Sequence, residues 1–423
     1  MLSTLQFIRN RLAEALWVRP LIMCIVSIVG TATAYLLGQW VDSEYVPEIS
    51  RESLQILLGV LSSGMLAIAV FAVGAMVSAY SSASKTATPR TFPLIIADDV
   101  SQNALSTFIG AFLFSVIAVL ALMNGFYSGS GRFFLLVMTL IVFWVVIMTF
   151  IRWVDRIARL GRLGMTLEKV EAATLRAIGR HQRSWLWQAR TPEESDEGTE
   201  IRLSPIGYLQ HVDWAFLQKW AEQADAKVRV YVLPGAFVTP ERVVARIADG
   251  PEELDDKERT RLERAFHLGG QRLFDEDPRF GFVVLSEIAS RALSPAVNDP
   301  GTAIQITGQL VRLLHHWSQT DPDDTEKTDS DQAKRYDRLE APAVGLDALF
   351  DDAFIGIARD GATMREVMIR LQKAFRALAE MDEDMKPIAE AHARLALKRA
   401  KQALALDEDY EAVAAVYPEA REA

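Results

Sequence analysis

The densest concentration of residues able to do chemistry is the run FDEDPRFGFVVLSEIASRALSPAVNDPGTA, from Phe274 to Ala303. Three times within it a good helix cap precedes proline, at Asp277-Pro278, Ser294-Pro295 and Asp299-Pro300. A cap side chain accepts from the first free backbone N–H groups, and proline at the next position has no N–H to lose, so each pair predicts a helix start. Where such N-termini converge, free N–H groups and a guanidinium can receive an anion or an interfacial loop. The candidate contacts are Arg291, Ser294, Asn298, Asp299 and Thr302. The plain alternative is helix punctuation, because capping alone accounts for Ser294 and Asp299. Asp275, Glu276, Asp277 and Glu287 add carboxylates without the ligand spacing of a defined metal site.

Elsewhere the chain offers little catalytic material. It has no phosphate-cradling GxxxxGK[ST], no GxSxG nucleophile elbow, no HExxH, and no GxGxxG opening a helix after a strand. The six histidines are scattered except for His315-His316, whose adjacent side chains diverge on a helix and cannot share a metal. Cys24 is the single cysteine, which excludes an intrachain disulfide, a CxxC pair and a cysteine zinc site. No catalytic residue, metal or cofactor is therefore assigned. A formal charge of −10 disfavours nucleic acid as a partner.

The elements that must position these residues fall into two solvents. Leu21 to Trp40, Leu54 to Tyr80, Ala104 to Tyr127 and Phe133 to Ile151 carry no charged residue. Apolar runs of roughly 18 or more residues predict membrane spans. From Arg152 onward the chain is rich in Asp, Glu, Lys and Arg, as a water-soluble domain requires. Arg9, Arg11 and Arg19 precede the first span, Lys85 and Arg90 follow the second, and Arg152, Arg156, Arg159 and Arg162 follow the fourth; the other side holds only Arg51 and Arg132. The positive-inside rule then places both termini and the loop between the second and third spans in the cytoplasm, in a multi-pass protein of the inner membrane. Leu5, Ile8, Leu12 and Leu16 recur at helical spacing and predict an amphipathic interfacial helix over residues 1–20, the alternative being a helix packed on the soluble domain. The expected order is that helix, a four-span transmembrane domain over 21–153, a helical stalk and acidic linker over 154–200, and a cytosolic domain over 201–423. The fold class is an α-helical integral membrane protein, with a four-helix transmembrane unit and a mainly helical α/β cytosolic domain.

The second span carries a stripe of small residues, Gly59, Ser63, Ala67, Gly74 and Ser78, near one helical face. In lipid such a stripe permits close helix packing, and its hydroxyls could alternatively line a permeation path. None of the spans holds an ionisable residue in its interior, which disfavours proton relays and ion-coupled carriers.

In the soluble part, Leu160, Leu163, Leu167, Val170, Thr174 and Ala177 keep a three-and-four spacing that suggests a coiled-coil-like stalk or, equally, a helix packed on its own domain. An acidic break follows from Thr191 to Glu200. Asp213 is expected to cap a helix over Trp214 to Gln223, Val228 to Leu233 reads as a strand, and Thr239-Pro240 reads as another helix start. From Leu254 on the pattern is almost wholly helical, interrupted by the hydrophilic segment Gln319 to Glu340.

The loop ATPRTFPLIIADDVSQNALSTFIGAF, from Ala87 to Phe112, and the segment FGFVVLSEIASRALSPAVNDPGTA resemble the hallmark blocks of a family of predicted bacterial membrane proteins catalogued as domain of unknown function 2254. The resemblance runs from the first span to the helices after Leu346. Where the family's wording has glycine, this chain has Ala296. The resemblance implies a polytopic inner-membrane protein with a cytoplasmic domain and no established activity. Three functions compete. The first is a homo-oligomer whose second spans line a passive pore or packing seam, assembled or gated by the cytosolic domain. The second is a membrane-anchored sensor or scaffold that binds an anion, another small molecule or a protein, with Pro89, Arg90, Asp99 and Gln102 meeting the cytosolic domain. The third is a membrane-bound hydrolase using Asp299, Asp277 and Arg291 around one attacking water.

Overall fold

The computed structural model of the chain describes residues 17–96, 98–159, 162–192, 197–251, 253–319 and 335–420. The expected interfacial helix lies outside these residues up to position 16, as do positions 193–196 of the acidic break and 320–334 of the hydrophilic segment. The chain divides into two compact units between Thr166 and Leu167.

In the first unit, α1 (Val18–Trp40), α2 (Arg51–Thr86), α3 (Asp99–Met123) and α4 (Gly129–Arg159) are long and apolar enough to cross a membrane. α3 packs against the other three. One core cluster joins Leu61, Met65 and Ala72 of α2 to Phe108 of α3 and Trp153 of α4. A second joins Ala34 of α1 and Leu58 of α2 to Phe114 of α3 and Leu135 of α4. The third apolar run ends as a helix at Met123, short of Tyr127, because Asn124 caps it and Gly125, at φ 74°, turns the chain.

The stripe that packs this unit together is on the first long helix. α1 buries Ser27, Thr31, Ala34 and Gly38. A Cβ on Gly38 would overlap the Cα of Gly131, so the two backbones touch where α1 meets α4. The Ser27 hydroxyl donates to the Gly110 carbonyl (2.7 Å), Tyr127 to Thr31 (3.0 Å) and Ser128 to Gly38 (3.1 Å). Such bonds satisfy polar groups that a low-dielectric surrounding would otherwise penalise.

In the second unit, α5 (Leu163–Gln182) follows the packed-helix alternative to a coiled-coil-like stalk. Leu167, Val170, Thr174 and Ala177 are buried. Glu171 accepts from Gln309 (2.8 Å) and Arg312 (2.8 Å). The three-and-four apolar stripe is thus satisfied within its own domain instead of by a coiled-coil partner. Asp213 caps α6 (Trp214–Gln223) as expected, accepting from the Phe216 N–H (3.1 Å).

The unit holds more strand than its sequence pattern suggests. β1 (Thr199–Arg202), β5 (Val243–Ala248), β3 (Lys227–Val230) and β7 (Leu339–Glu340) form one sheet in that order, with only the β3–β7 pair parallel. β4 (Phe237–Val238), β2 (Gly207–Val212) and β6 (Phe266–Gly269) form an antiparallel second sheet. Thr239-Pro240 opens a turn, not a helix, with the Arg242 N–H returning to the Thr239 carbonyl (3.0 Å). Proline after a small polar residue suits position i+1 of a β-turn as well as a helix start, and the Val-Val-Ala-Arg-Ile run that follows prefers a pleated surface. The remaining helices are α7 (Asp256–Glu263), α8 (Pro278–Ala292), α9 (Pro300–Ser318), α10 (Leu346–Asp360), α11 (Arg365–Met381), α12 (Lys386–Ala403) and α13 (Asp407–Ala414).

Candidate functional site

The structure places the second-span stripe on the side of α2 that its own bundle does not use. Leu54, Leu58, Leu61, Met65, Ala69, Ala72 and Met76 are buried, whereas Gly59, Ser63, Ala67, Gly74 and Ser78 are exposed. A Cβ built on Gly59 or Gly74 would meet nothing within 4 Å. The Ser63 hydroxyl donates to the Gly59 carbonyl of its own helix (3.0 Å), so its polar atom is already satisfied.

The loop between the second and third long helices is built as a cap and a clasp. Asp98 caps α3, accepting from the Ser101 N–H (3.2 Å) and hydroxyl (2.8 Å). The same carboxylate takes two hydrogen bonds from Arg156 of α4, at 2.6 and 2.9 Å. Asp99 pairs with Arg19 of α1, which also donates to Asn103 (2.8 Å). Gln102 is buried and donates to the Ile96 carbonyl (2.8 Å), while its Oε1 has no partner among the described residues. Pro89 and Arg90 are exposed in a short 3-10 turn. Asp99 and Gln102 thus serve the bundle itself. Asp98, which joins two helices, was missed by the sequence reading because a cap and an ion pair look alike in sequence.

The Arg291 to Thr302 segment is mainly punctuation. Asp277 and Asp299 cap α8 and α9, with proline next, as the pattern predicts. Ser294-Pro295 is a turn instead, because its carbonyl accepts from Val297 (3.0 Å) and Asn298 (2.8 Å) and no helix-forming run follows. The left-handed residue here is Asn298, at φ 50°, and not the position held by Ala296. Hydrogen bonds from the Thr302 hydroxyl and N–H hold the Asp299 carboxyl below the usual carboxylate range. Arg291 is exposed, and its carbonyl accepts from the Ser294 hydroxyl (2.7 Å). Asp277 lines a cavity that neither Arg291 nor Asp299 reaches, so the three hydrolase candidates do not surround one space.

That cavity, about 470 Å³, lies in the second unit, where the chain after β3 meets the starts of α8 and α10. Three arginines, Arg242, Arg272 and Arg279, face it from segments far apart in sequence, which is why no motif announced it. Arg272 pairs with Asp277 (2.7 Å) and Arg279 with Asp352 (2.7 Å). Burial pushes the Asp277 carboxyl upward, against the pull of Arg272. Gly235, at φ 96°, is required beside it, since a Cβ there would overlap the Asp277 carboxylate. His181 also lines the cavity and is 8% exposed. Its ring stacks on Trp317 at 5.5 Å, and burial lowers its pKa to about 4.

The family described as "Predicted membrane protein (DUF2254)" matches residues 13–377, most of the chain. The chain belongs to that family. Uncharacterized proteins of Mycobacterium tuberculosis (strains CDC 1551 / Oshkosh and ATCC 25618 / H37Rv) and of Mycobacterium bovis are each 33% identical over 127 residues, 29% of this chain. The match spans about a quarter of those relatives' length, 24%. No solved structure matches. The two DUF2254-like blocks in the sequence, around Asp98 and Asp299, prove to be helix caps with their supporting bonds.

Proposed function

We propose that the chain is a subunit of a homo-oligomeric inner-membrane assembly, in which the second spans of neighbouring copies meet along their small-residue faces and leave a passive path between protomers. The observation that carries this reading is the direction of the stripe: Gly59, Ser63, Ala67, Gly74 and Ser78 face away from the bundle that buries the rest of α2. Without apolar attraction between helices in lipid, small side chains that let backbones approach are what make a contact between spans favourable. Within one copy the core is filled by Phe108, Phe114, Leu135 and Trp153, so a path belongs between copies. The lack of ionisable residues along the outward face suits passive permeation better than ion coupling.

The expected orientation has support in the same unit. Arg19 and Arg156 meet Asp99 and Asp98 at one end of the bundle, while Arg51 donates to the Met123 carbonyl (2.6 Å) at the other end of α3. The Arg19 and Arg156 end is the cytoplasmic one on the positive-inside rule.

Cross-linking tests the assembly. In a Cys24→Ser background, Ala67→Cys in native membranes should form disulfide-linked dimers, and Met65→Cys on the buried face should not. Monomer alone at Ala67→Cys would end the reading. If dimers form, liposomes carrying the protein should pass small solutes, and Ala67→Trp should reduce that flux; dimers without flux would leave a packing seam and refute the path.

A further inference from the structure

The cavity in the second unit has features that helix capping does not use. α10 has Gly345 as its N-cap, with no side chain to cap it, and Gly345, Ala348 and the first-turn Asp347 line the cavity. The first N–H groups of a helix have no intrahelical acceptor and carry partial positive charge, so this end attracts an anion. The second observation is independent of it. His181, 8% exposed, lines the same space, and its ring nitrogens have no hydrogen-bond partner among the described residues. A buried polar ring with an unmet hydrogen-bonding capacity points to a group that enters the cavity.

Three arginines, Arg242, Arg272 and Arg279, and three carboxylates, Glu276, Asp277 and Asp347, line the cavity, and one of the arginines has no carboxylate partner among the described residues. Arg272 is matched by Asp277 and Arg279 by Asp352, and Glu276 is hydrogen-bonded to His211. Asp347 lies over Gly345 and acts electrostatically on Arg279. Arg242 is exposed and donates to the Phe237 carbonyl (2.6 Å), with no carboxylate partner among the described residues. The wall also holds the apolar side chains of Leu186, Val232, Leu233 and Pro342, and Tyr231, whose buried hydroxyl has no hydrogen-bond partner among the described residues. A volume of about 470 Å³ lies within the roughly 300–1,000 Å³ typical of small-molecule sites.

We propose that this cavity binds a small organic anion, its charged group between Arg242 and the start of α10, its body on the apolar wall, and one polar group on His181. This assignment is independent of whether the second spans self-associate. It names a site that the sequence motifs did not, since the residues first singled out for anion binding lie elsewhere.

Calorimetric titration of the full-length protein in detergent tests it. The probes are adenosine monophosphate, glucose 6-phosphate, benzoate and octanoate, each paired with its uncharged counterpart: adenosine, glucose, benzamide and octanol. At least one anion should bind saturably, at least about tenfold more tightly than its neutral partner, as loss of a charged hydrogen bond implies. Arg242→Ala should weaken that anion by about tenfold without changing the thermal midpoint, since the side chain is exposed and supports a single carbonyl. Ala343→Trp, at an exposed position on the cavity wall, should abolish binding by filling the space. Failure of all four anions to bind, equal binding of the neutral partners, or unchanged affinity in both variants would overturn the assignment.

Discussion

His181 offers a quantitative test of how the second unit is packed. Burial alone lowers its pKa from 6.5 to about 4, so the folded chain keeps the imidazole neutral where an unfolded chain would protonate it. The sign follows: between those values the unfolded state binds more protons, and stability falls as pH falls, beginning near 6.5 and ending near 4. The full shift corresponds to roughly 3 kcal/mol, of which about 2 kcal/mol is lost on going from pH 7.5 to 5. His267 and His392 are also lowered by burial and add their own losses, so the comparison must be differential. His181→Phe retains an aromatic ring against Trp317 and Trp187 but cannot titrate. Hydrogen exchange read on peptides from α9, corrected for the intrinsic pH dependence of exchange, should show wild-type protection falling about 30-fold more than the variant's over that interval. Equal losses in the two proteins would refute the claim that His181 is held neutral by burial.

Two further substitutions probe other parts of the architecture. Gly235→Ala introduces a side chain at φ 96° and into the Asp277 carboxylate, and should cost about 1–3 kcal/mol in urea unfolding of the soluble unit. A variant as stable as wild type would show that this loop relaxes freely. Arg156→Ala removes two hydrogen bonds from Asp98, whose side chain is 1% exposed, and should destabilise the first unit by about 1–3 kcal/mol; Asp98→Asn with Arg156→Gln should recover part of that loss in detergent thermal melts.

How much of this was legible in the sequence depends on the length scale of the signal. The four long helices follow from continuous absence of charge, and the caps at Asp213, Asp277 and Asp299 follow from local chemistry that needs no partner. Thr239-Pro240 and Ser294-Pro295 carry the same local signal, yet they make turns, because the residues that follow decide between the two outcomes. Two stripes of small residues were present, on α1 and α2, and spacing alone could not tell which packs inward. The cavity was least legible, since Arg242, Arg272 and Arg279 come together only through strand pairing and helix packing over long separations.

The contact of Gly38 with Gly131 has a mechanical consequence. Turning α1 about its axis by one residue, about 100°, would drive Leu37 or Gln39 against the backbone of α4. The first span is therefore wedged like a key in its slot, unable to twist without parting the two backbones.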